Sequence, residues 1–151
     1  MNEKKTYCYD YPRPMLTVDA VVFRQTRERL EVLVVERGKA PFAGFLALPG
    51  GFVEIDEDLA DAAKRELFEE TGFKNVSLTQ LSTFGKPGRD PRGRNISVVF
   101  VGVARGTAHR VRGGDDATRA LWIPARRPGA LAFDHNEILR CALAWLGKKK
   151  G

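Results

Sequence analysis

The segment from Leu59 to Thr71 constrains this chain most, because its periodicity is helical and acidic side chains lie within its apolar stripe. At about 100° per residue, the apolar positions that share one face are Leu59, Ala62, Ala63 and Leu67. Glu66 and Glu70 project into the middle of that face, and Glu69 lies on its border. Since acidic residues of a surface helix usually line the opposite face, these carboxylates are expected to point toward the core or its edge.

These three glutamates predict a site for a cation. They crowd the end of the helix, where they repel one another and the negative end of the helix dipole, so a positive partner should compensate. Residues at i, i+3 and i+4 are neighbours on a helix, and Mg²⁺ commonly takes one or two carboxylates together with substrate phosphates. Arg65 can pair with Glu69 and fix its orientation, while Glu54 and Glu57 precede the helix and can add oxygens. By themselves, three glutamates still fit a solvated surface helix better than a metal site.

The wider spacing around this helix is far more specific than the glutamates alone. A rigid pattern, G-x5-E-x7-R-E-U-x-E-E-x-G-U with U apolar, is filled by Gly51, Glu57, Arg65, Glu66, Glu69, Glu70 and Gly72, with Leu67 and Phe73 at the apolar positions. Such a set of matches arises by chance on the order of once in a million chains of this length. This pattern is the Nudix box, and over Gly51 to Phe73 the chain resembles Nudix hydrolases with no departure at the defining positions.

The resemblance implies a fold, a reaction and a ligand set. The fold is α/β (α+β), a Nudix-type α/β/α sandwich with a mixed β-sheet. The reaction is hydrolysis of a nucleoside diphosphate linked to another moiety, with Mg²⁺ as the cofactor and Mn²⁺ as a substitute. The residues expected at the metal are Gly51, Glu54, Glu66, Glu69 and Glu70. The catalytic residues expected are Arg65, Glu66 and Glu69. Glu66 is either a ligand or the general base, because the base differs between family members.

The chemistry that the resemblance implies needs few groups. Mg²⁺ neutralises diphosphate charge and lowers the pKa of the attacking water, and a carboxylate accepts the proton. Phosphoryl transfer otherwise relies on positioning and charge stabilisation. In the loop before the helix, Asp56 stands where the family usually has a glycine between Glu54 and Glu57, a change that removes no ligand.

The rest of the chain is predicted to form strands and one further helix. The predicted strands are Met15–Arg24, Leu30–Glu36, Phe45–Leu48, Val76–Phe84, Ile96–Ala104 and Ala117–Ile123. The predicted helices are Leu59–Thr71 and the amphipathic segment Asp134–Leu146. Asp56 or Asp58 is expected to cap the first helix, and Gly72 is expected to end it. Residues 1–14 are predicted to be irregular and residues 147–151 to be a solvated basic tail.

The loop from Gly85 to Arg94 indicates the substrate. It carries four basic residues between two predicted strands, of which Arg89 and Arg92 could hold phosphate oxygens bidentately. On these residues alone, a solvated hairpin loop explains the segment equally well. However, the stretch from Gly88 to Arg92, followed by Ile96-Ser97-Val98, looks like the corresponding loop of ADP-ribose pyrophosphatases. Further stretches that look alike are Leu46–Glu54, Asp115–Ala117 before Trp122, and Leu131–His135.

This second resemblance suggests how a nucleotide could bind. The substrate contacts expected from it are Phe42, Gly50, Arg89 and Arg92. Phe42 could stack on an adenine, although packing is the better-supported role, and His135 is expected to be structural. Trp122 and Met15 are expected in the core. Sugar-nucleotide-sensing regulators of the same superfamily share these stretches and carry an additional DNA-binding domain, for which this chain is expected to be too short.

The composition and charge of the chain limit the kinds of molecule that it is expected to bind. The chain has 151 residues, which fits one domain spanning 1–151, and its net charge of +6 suits either nucleic acid or a small polyanion. The basic residues are scattered apart from Lys148 to Lys150, and no recognition-helix or aromatic RNA-binding motif is visible. We therefore expect a small nucleotide substrate and no nucleic acid. The resemblance additionally suggests a homodimer.

The cellular compartment is also predicted from composition. No apolar run approaches about 20 residues and no signal peptide is visible, so we expect no membrane association. Cys8 and Cys141 lie far apart without metal-type spacing, which favours a reducing, cytoplasmic environment.

Three functions compete at this point. The first is hydrolysis of ADP-ribose to AMP and ribose 5-phosphate. The second, within the same enzyme class, is hydrolysis of a nucleoside triphosphate such as an oxidised dGTP to a monophosphate and pyrophosphate. The third is a non-catalytic nucleotide-sugar-binding module, against which the intact carboxylate set argues. The residues leave the general base, the number of metal ions and the exact substrate open.

Overall fold

The computed structural model describes residues 5–106, 110–114 and 117–150, and its elements follow the predicted order. The strands are β1 (Met15–Gln25), β2 (Leu30–Arg37), β3 (Leu46–Ala47), β4 (Gly50–Phe52), β5 (Thr79–Phe84), β6 (Asn95–Val103) and β7 (Ala117–Pro124). The helices are α1 (Leu59–Thr71) and α2 (His135–Lys149). Among these elements, β4 was not predicted, because its two glycines were interpreted as the end of the preceding strand.

The strands form a mixed β-sheet centred on β1. This strand runs parallel to β6 along most of its length and antiparallel to β2 and β4. At one side β5 pairs antiparallel with β6, and at the other β3 and β7 pair antiparallel with β2. The short strand β4 pairs with Thr17 to Asp19 of β1, which brings the loop before α1 against the centre of the sheet.

The side-chain alternation of β1 places the two helices on opposite faces of the sheet. Ala20 and Val22 pack in a cluster with Leu67 of α1, whereas Val21 and Phe23 pack in the cluster that contains Ile138 of α2. The two helices and the mixed sheet therefore form the expected α/β/α sandwich.

Helix α1 has the predicted bounds, because local signals define both of its ends. Asp58 is the N-cap, and its carboxylate accepts a hydrogen bond from the Ala60 N–H. Gly72 ends the helix in the left-handed conformation, at φ 70°, and its N–H donates to the Phe68 carbonyl. The apolar stripe is buried as expected, so the face that carries Glu66 and Glu70 lies against the sheet.

The C-terminal helix is longer than predicted. It extends to Lys149 instead of ending at Leu146, and residues 147–150 are exposed, as expected of a solvated basic terminus, while the lysines there suit the negative end of the helix dipole. Met15 is not in the core; it is 45% exposed, because it begins β1 beyond the part of the strand that the helices cover. Trp122 is half-buried and packs edge-on against Phe73. The predicted strand from Val76 begins only at Thr79.

Other predictions concern chain segments with little regular structure. Residues 5–14 have no helix or strand, as expected. Asp115 and Asp116 lie outside the described residues, as do residues 1–4 and Gly151.

Among the described helices, neither has the length and apolarity required to cross a membrane.

Candidate active site

A cavity of about 360 Å³ opens where the ends of several elements meet. Its walls come from the start of β1, the end of β2, the strand β4, the last turns of α1, the loop between β5 and β6, and the start of α2. Of the residues predicted for the site, it brings together Gly50, Gly51, Glu66, Glu69, Glu70, Arg89 and Arg92. Residues from both halves of the chain thus meet at one concave surface, which is where small-molecule sites usually form.

The acidic wall of this cavity is formed by the last turns of α1. Glu70 is half-buried, and its carboxylate accepts a hydrogen bond from the Gly50 N–H at 3.1 Å. Burial raises the pKa of Glu70 to about 8, and the nearby charges of Glu66 and Asp19 act in the same direction. This carboxylate is therefore costly to ionise unless a positive charge lies beside it.

Arg65 holds the acidic wall in place from behind. Its guanidinium donates to both carboxylate oxygens of Glu57, at 2.6 and 2.8 Å, and to Glu66 at 2.8 Å. It also donates to Glu69 at 3.2 Å, which confirms the predicted pair, and to the Phe52 carbonyl. Hydrogen bonding to Glu57 raises the pKa of Arg65 and lowers that of Glu57. Because Arg65 joins the loop, β4 and α1, it is placed to position the glutamates.

Two glycines allow β4 to approach these carboxylates. A Cβ at Gly51 would stand 2.5 Å from the carboxyl carbon of Glu66. A Cβ at Gly50 would collide with the Val18 carbonyl and with the Asp19 carboxylate. The clash at Gly50 is with backbone, so glycine is required there by close packing, whereas a side chain at Gly51 would force the end of the Glu66 side chain to move.

The basic wall comes from two parts of the chain. Arg37 and Lys39, at and just after the end of β2, line the cavity and were not predicted. Arg89 lines it too, but its guanidinium donates two hydrogen bonds to Asp134, at 2.8 and 2.7 Å, and its side chain is only 5% exposed. Arg92 is more open, at 35% exposed. Arg89 therefore anchors its loop to the start of α2, while Arg92 is better placed to meet a ligand.

Asp90 orders the loop that carries these arginines. Its carboxylate accepts hydrogen bonds from the Arg92 guanidinium and backbone N–H and from the Asn95 amide. Burial acts to raise the pKa of Asp90, but these hydrogen bonds outweigh it and lower the pKa to about 2. Asp90 therefore stays ionised and keeps Arg92 at the cavity.

The deep end of the cavity is polar although it is buried. Asp19 of β1 and His135 of α2 are 7% and 4% exposed, and both line the cavity. The Ser97 hydroxyl donates to one carboxylate oxygen of Asp19, and the Leu48 N–H donates to Nδ1 of His135 at 2.9 Å. Burial lowers the pKa of His135, so the imidazole is neutral near pH 7. His135 thus has the structural contact expected of it and also faces the site.

Comparison with known proteins identifies the family. The NUDIX domain model matches residues 13–146. The chain belongs to the Nudix family.

Several Nudix relatives are similar over most of this chain. The ADP-ribose pyrophosphatase of Methanocaldococcus jannaschii is 36% identical over 135 residues, covering 89% of this chain and 76% of that protein. The ADPR responsive transcriptional repressor NtrR of Acinetobacter baylyi is 33% identical over 144 residues, and the match spans 93% of this chain but only 57% of the repressor. The NUDIX domain of Shewanella oneidensis NrtR, solved as a complex with ADP ribose, superposes with a TM-score of 0.83 at 32% identity, covering 91% of this chain and 94% of that one.

The donor chemistry of this Nudix site fits a hard divalent cation. Glu66, Glu69 and Glu70 present carboxylate oxygens to one cavity, and Glu70 is buried among other acids. Over the described part of the chain, no three His, Cys, Asp or Glu side chains form a ready-made ion-binding group. Arg65 holds an oxygen of Glu66 and one of Glu69. Mg²⁺ does not require such a group, because it usually keeps several waters and takes one or two carboxylates plus substrate phosphates.

Two residues predicted for the Nudix site lie apart from it. Glu54 is exposed, and the described lining of the cavity does not include it. Phe42 packs against Phe45 and Phe133 at ring-centroid distances of 5.6 and 4.9 Å, which supports the packing role. Phe133 and Phe52 both line the cavity, and the guanidinium groups of Arg37 and Arg92 lie over the Phe133 ring at 4.8 and 5.1 Å.

Sequence reasoning missed the residues at the deep end of the Nudix cavity. Asp19 interrupts an otherwise apolar predicted strand, and a charge at a core-facing position was the available signal. His135 had been named, but only as a structural residue. No local signal connects it to Asp19, because the two residues meet only through the packing of α2 on the sheet.

Proposed function

We propose that this chain is a Mg²⁺-dependent hydrolase that splits the diphosphate linkage of a nucleoside diphosphate derivative. ADP-ribose, cleaved to AMP and ribose 5-phosphate, is the leading substrate. The observation that carries the proposal is a single cavity with three carboxylates of α1 on one wall and arginine and lysine side chains on the other. The activity in the name of the Methanocaldococcus jannaschii relative, and the ligand of the Shewanella oneidensis domain, point to the same substrate class.

In this proposal the glutamates divide the work. Glu69 and Glu70, with the backbone of Gly51 beside them, would hold the cation. When bound, the ion neutralises diphosphate charge and lowers the pKa of the attacking water. Glu66 either accepts the proton of that water or adds a further oxygen ligand, and Arg65 keeps its carboxylate oriented through the 2.8 Å hydrogen bond.

The basic wall would hold the diphosphate itself. Arg37, Lys39 and Arg92 contribute positive charge to the cavity opposite the glutamates. A diphosphate held there would satisfy both walls, because its oxygens can bind arginine directly and the acidic wall through the cation. Phosphoryl transfer needs little more than this positioning and charge stabilisation.

A non-catalytic ADP-ribose-binding module is the second candidate. Its support is that the similar Acinetobacter baylyi protein is named as an ADPR responsive repressor. A binding module has no use for buried, mutually repelling carboxylates, which cost stability when they are ionised without a cation. The complete acidic wall therefore favours hydrolysis.

A hydrolysis screen tests the proposal. The protein is incubated with MgCl2 and ADP-ribose, other nucleotide sugars, dinucleotides or nucleoside triphosphates, and the products are identified by chromatography. AMP and ribose 5-phosphate released from ADP-ribose support the proposal. Pyrophosphate released from a nucleoside triphosphate would instead favour a nucleoside triphosphate hydrolase. Binding of ADP-ribose without turnover, with MgCl2 or MnCl2 present, favours the binding module.

The expected homodimer is a separate proposal. Several apolar side chains at the start of β1, at the end of β4 and in the loop after β4 are exposed, namely Met15, Leu16, Phe52 and Ile55. Sedimentation equilibrium tests it, with a mass near twice 16.8 kDa as the expected result.

A further inference from the structure

The pair of Asp19 and His135 has no part in the mechanism proposed above. Both side chains line the cavity and are more than nine-tenths buried, on elements that meet only in the folded chain. Each makes one hydrogen bond within the protein, Asp19 with Ser97 and His135 with Leu48, which offsets part of the cost of burial. These bonds involve only one polar atom of each side chain.

The hydrogen bonds around His135 define which of its nitrogens carries the proton. Nδ1 accepts the Leu48 N–H at 2.9 Å and must therefore have a free lone pair. The proton of the neutral ring is then on Nε2, which lies 3.6 Å from Oδ1 of Asp19. That separation exceeds a hydrogen bond. A donor and an acceptor thus face each other at the cavity across a gap that they do not close.

Asp19 is held so that Oδ1 remains the oxygen beside this gap. Its other oxygen, Oδ2, accepts the hydroxyl of Ser97. Gly50 keeps the approach to Oδ1 open, because a Cβ at that position would collide with this oxygen. Ser97, Gly50 and Leu48 therefore together hold Asp19 and His135 in one arrangement.

A hydroxyl group is the ligand chemistry that fits the gap. It can accept from Nε2–H of His135 and donate to Oδ1 of Asp19 at the same time. A phosphate oxygen can only accept, and the Asp19 carboxylate would repel it. We propose that Asp19 and His135 bind a sugar hydroxyl of the substrate and thereby select diphosphates that carry a hydroxylated sugar.

This inference rests on the proposed function only for the position of the diphosphate. In this proposal the phosphates lie between the acidic and basic walls, and the sugar lies against Asp19, which lines the same cavity. A nucleoside triphosphate would instead bring its third phosphate toward that carboxylate. The pair would therefore disfavour triphosphates and favour nucleoside diphosphate sugars.

The test compares two substrates that differ in the hydroxyls alone. ADP-ribose is compared with the tetrahydrofurfuryl ester of ADP, which keeps the diphosphate linkage and the five-membered ring of the second sugar but lacks the hydroxyls of that ring. For wild-type protein, kcat/KM for ADP-ribose should exceed that for the ester on the order of 100-fold, because a site built to bind a hydroxyl rejects a ligand without one. Asp19→Asn should lower the ratio of kcat/KM for ADP-ribose to kcat/KM for the ester by about tenfold, since a charged acceptor becomes neutral.

Glu36→Gln is the matched control. It makes the same acid-to-amide change on the adjacent strand β2, where Glu36 pairs with the exposed Arg119 outside the cavity lining. It should leave the ratio of the two substrates unchanged. Equal losses on both substrates in Asp19→Asn would overturn the proposal, because they would show a role in folding or in the acidic wall. If Asp19→Asn keeps the wild-type preference for ADP-ribose over the ester, the proposal is also overturned, and water rather than a sugar hydroxyl lies between Asp19 and His135.

Calorimetric binding of the same two compounds separates this proposal from the proposed function. If the wild-type protein hydrolyses neither compound but binds ADP-ribose more tightly, and Asp19→Asn removes that difference, hydroxyl recognition stands and the hydrolase proposal fails. If the wild type hydrolyses both compounds with no preference, hydrolysis stands and hydroxyl recognition fails. Thermal unfolding of Asp19→Asn checks that the variant is folded, and Ser97→Ala, which only releases Oδ2, provides a second, milder variant.

Discussion

Gly51 and Glu66 are packed so closely that a Cβ at position 51 would stand 2.5 Å from the glutamate carboxyl carbon. The strand β4 and the helix α1 therefore meet at the acidic wall without room for a side chain. The position of the Glu66 carboxylate depends on this absence of a Cβ.

Gly51→Ala should displace Glu66 and lower kcat by at least about tenfold, because small displacements of a catalytic group are costly. The control is Gly147→Ala in α2, where a Cβ would meet nothing within 4 Å. That variant should keep full activity and gain about 0.5–1 kcal/mol of stability, since alanine favours helix. Steady-state kinetics and urea unfolding measure both variants, and a fully active Gly51→Ala would contradict the assigned role of Glu66.

Arg65 provides a second prediction, because it bonds the carboxylates of the acidic wall but is not itself among the described residues that line the cavity. Arg65→Lys keeps the charge but cannot bond Glu57, Glu66 and the Phe52 carbonyl together. We expect kcat to fall on the order of tenfold with a smaller change in KM. Arg119→Lys makes the same substitution in an exposed ion pair with Glu36 and should change neither constant. A rise in KM alone for Arg65→Lys would indicate direct substrate contact instead.

Local signals explain why the acidic wall could be predicted from the sequence. Asp58 and Gly72 define the ends of α1, and the apolar stripe sets its rotation, so the direction of Glu66 and Glu70 follows from periodicity. The Nudix box pattern also specified Gly51 and Arg65, which both lie beside Glu66. Every contact needed for this wall is formed by β4, α1 and the loop between them.

The rest of the site depends on contacts between distant segments. Leu48 and His135 are 87 positions apart, and Arg89 and Asp134 are 45 apart. The contact of Arg89 with Asp134 could not be predicted, because nothing in the loop that carries Arg89 shows that the start of α2 supplies a carboxylate for it. The strand β4 was missed for a related reason, since its glycines become a strand only by pairing with β1.

The third prediction separates the two arginines of the loop between β5 and β6. Arg89→Met leaves Asp134 buried without its partner, which should cost about 3–5 kcal/mol of stability. The double variant Arg89→Met, Asp134→Leu should recover much of this loss. Arg92→Met should instead raise KM for a diphosphate substrate several-fold with a smaller loss of stability, because Arg92 is more exposed. Denaturant unfolding and steady-state kinetics of the three proteins test this prediction. A large rise in KM for Arg89→Met, with a large loss of stability for Arg92→Met, would instead show that Arg89 contacts the ligand.

The fourth prediction concerns pH and follows from burial of His135. Burial lowers the pKa of this imidazole below its usual 6.5, so the folded state holds the ring neutral while the unfolded chain protonates it normally. Its contribution to stability is therefore complete above pH 6.5 and is lost as the pH falls from there through the folded-state pKa. This contribution to the free energy of unfolding should fall on acidification below pH 6.5, whereas Glu70, with its pKa raised to about 8, acts in the opposite direction, so the test is the difference in slope between two proteins. His135→Gln, which keeps an acceptor for the Leu48 N–H, should remove the destabilising contribution of His135 on acidification even if the variant is less stable at pH 7. Urea unfolding from pH 7.5 to 5 measures both slopes, and equal slopes in the two proteins would show that His135 is not the group whose protonation opposes folding.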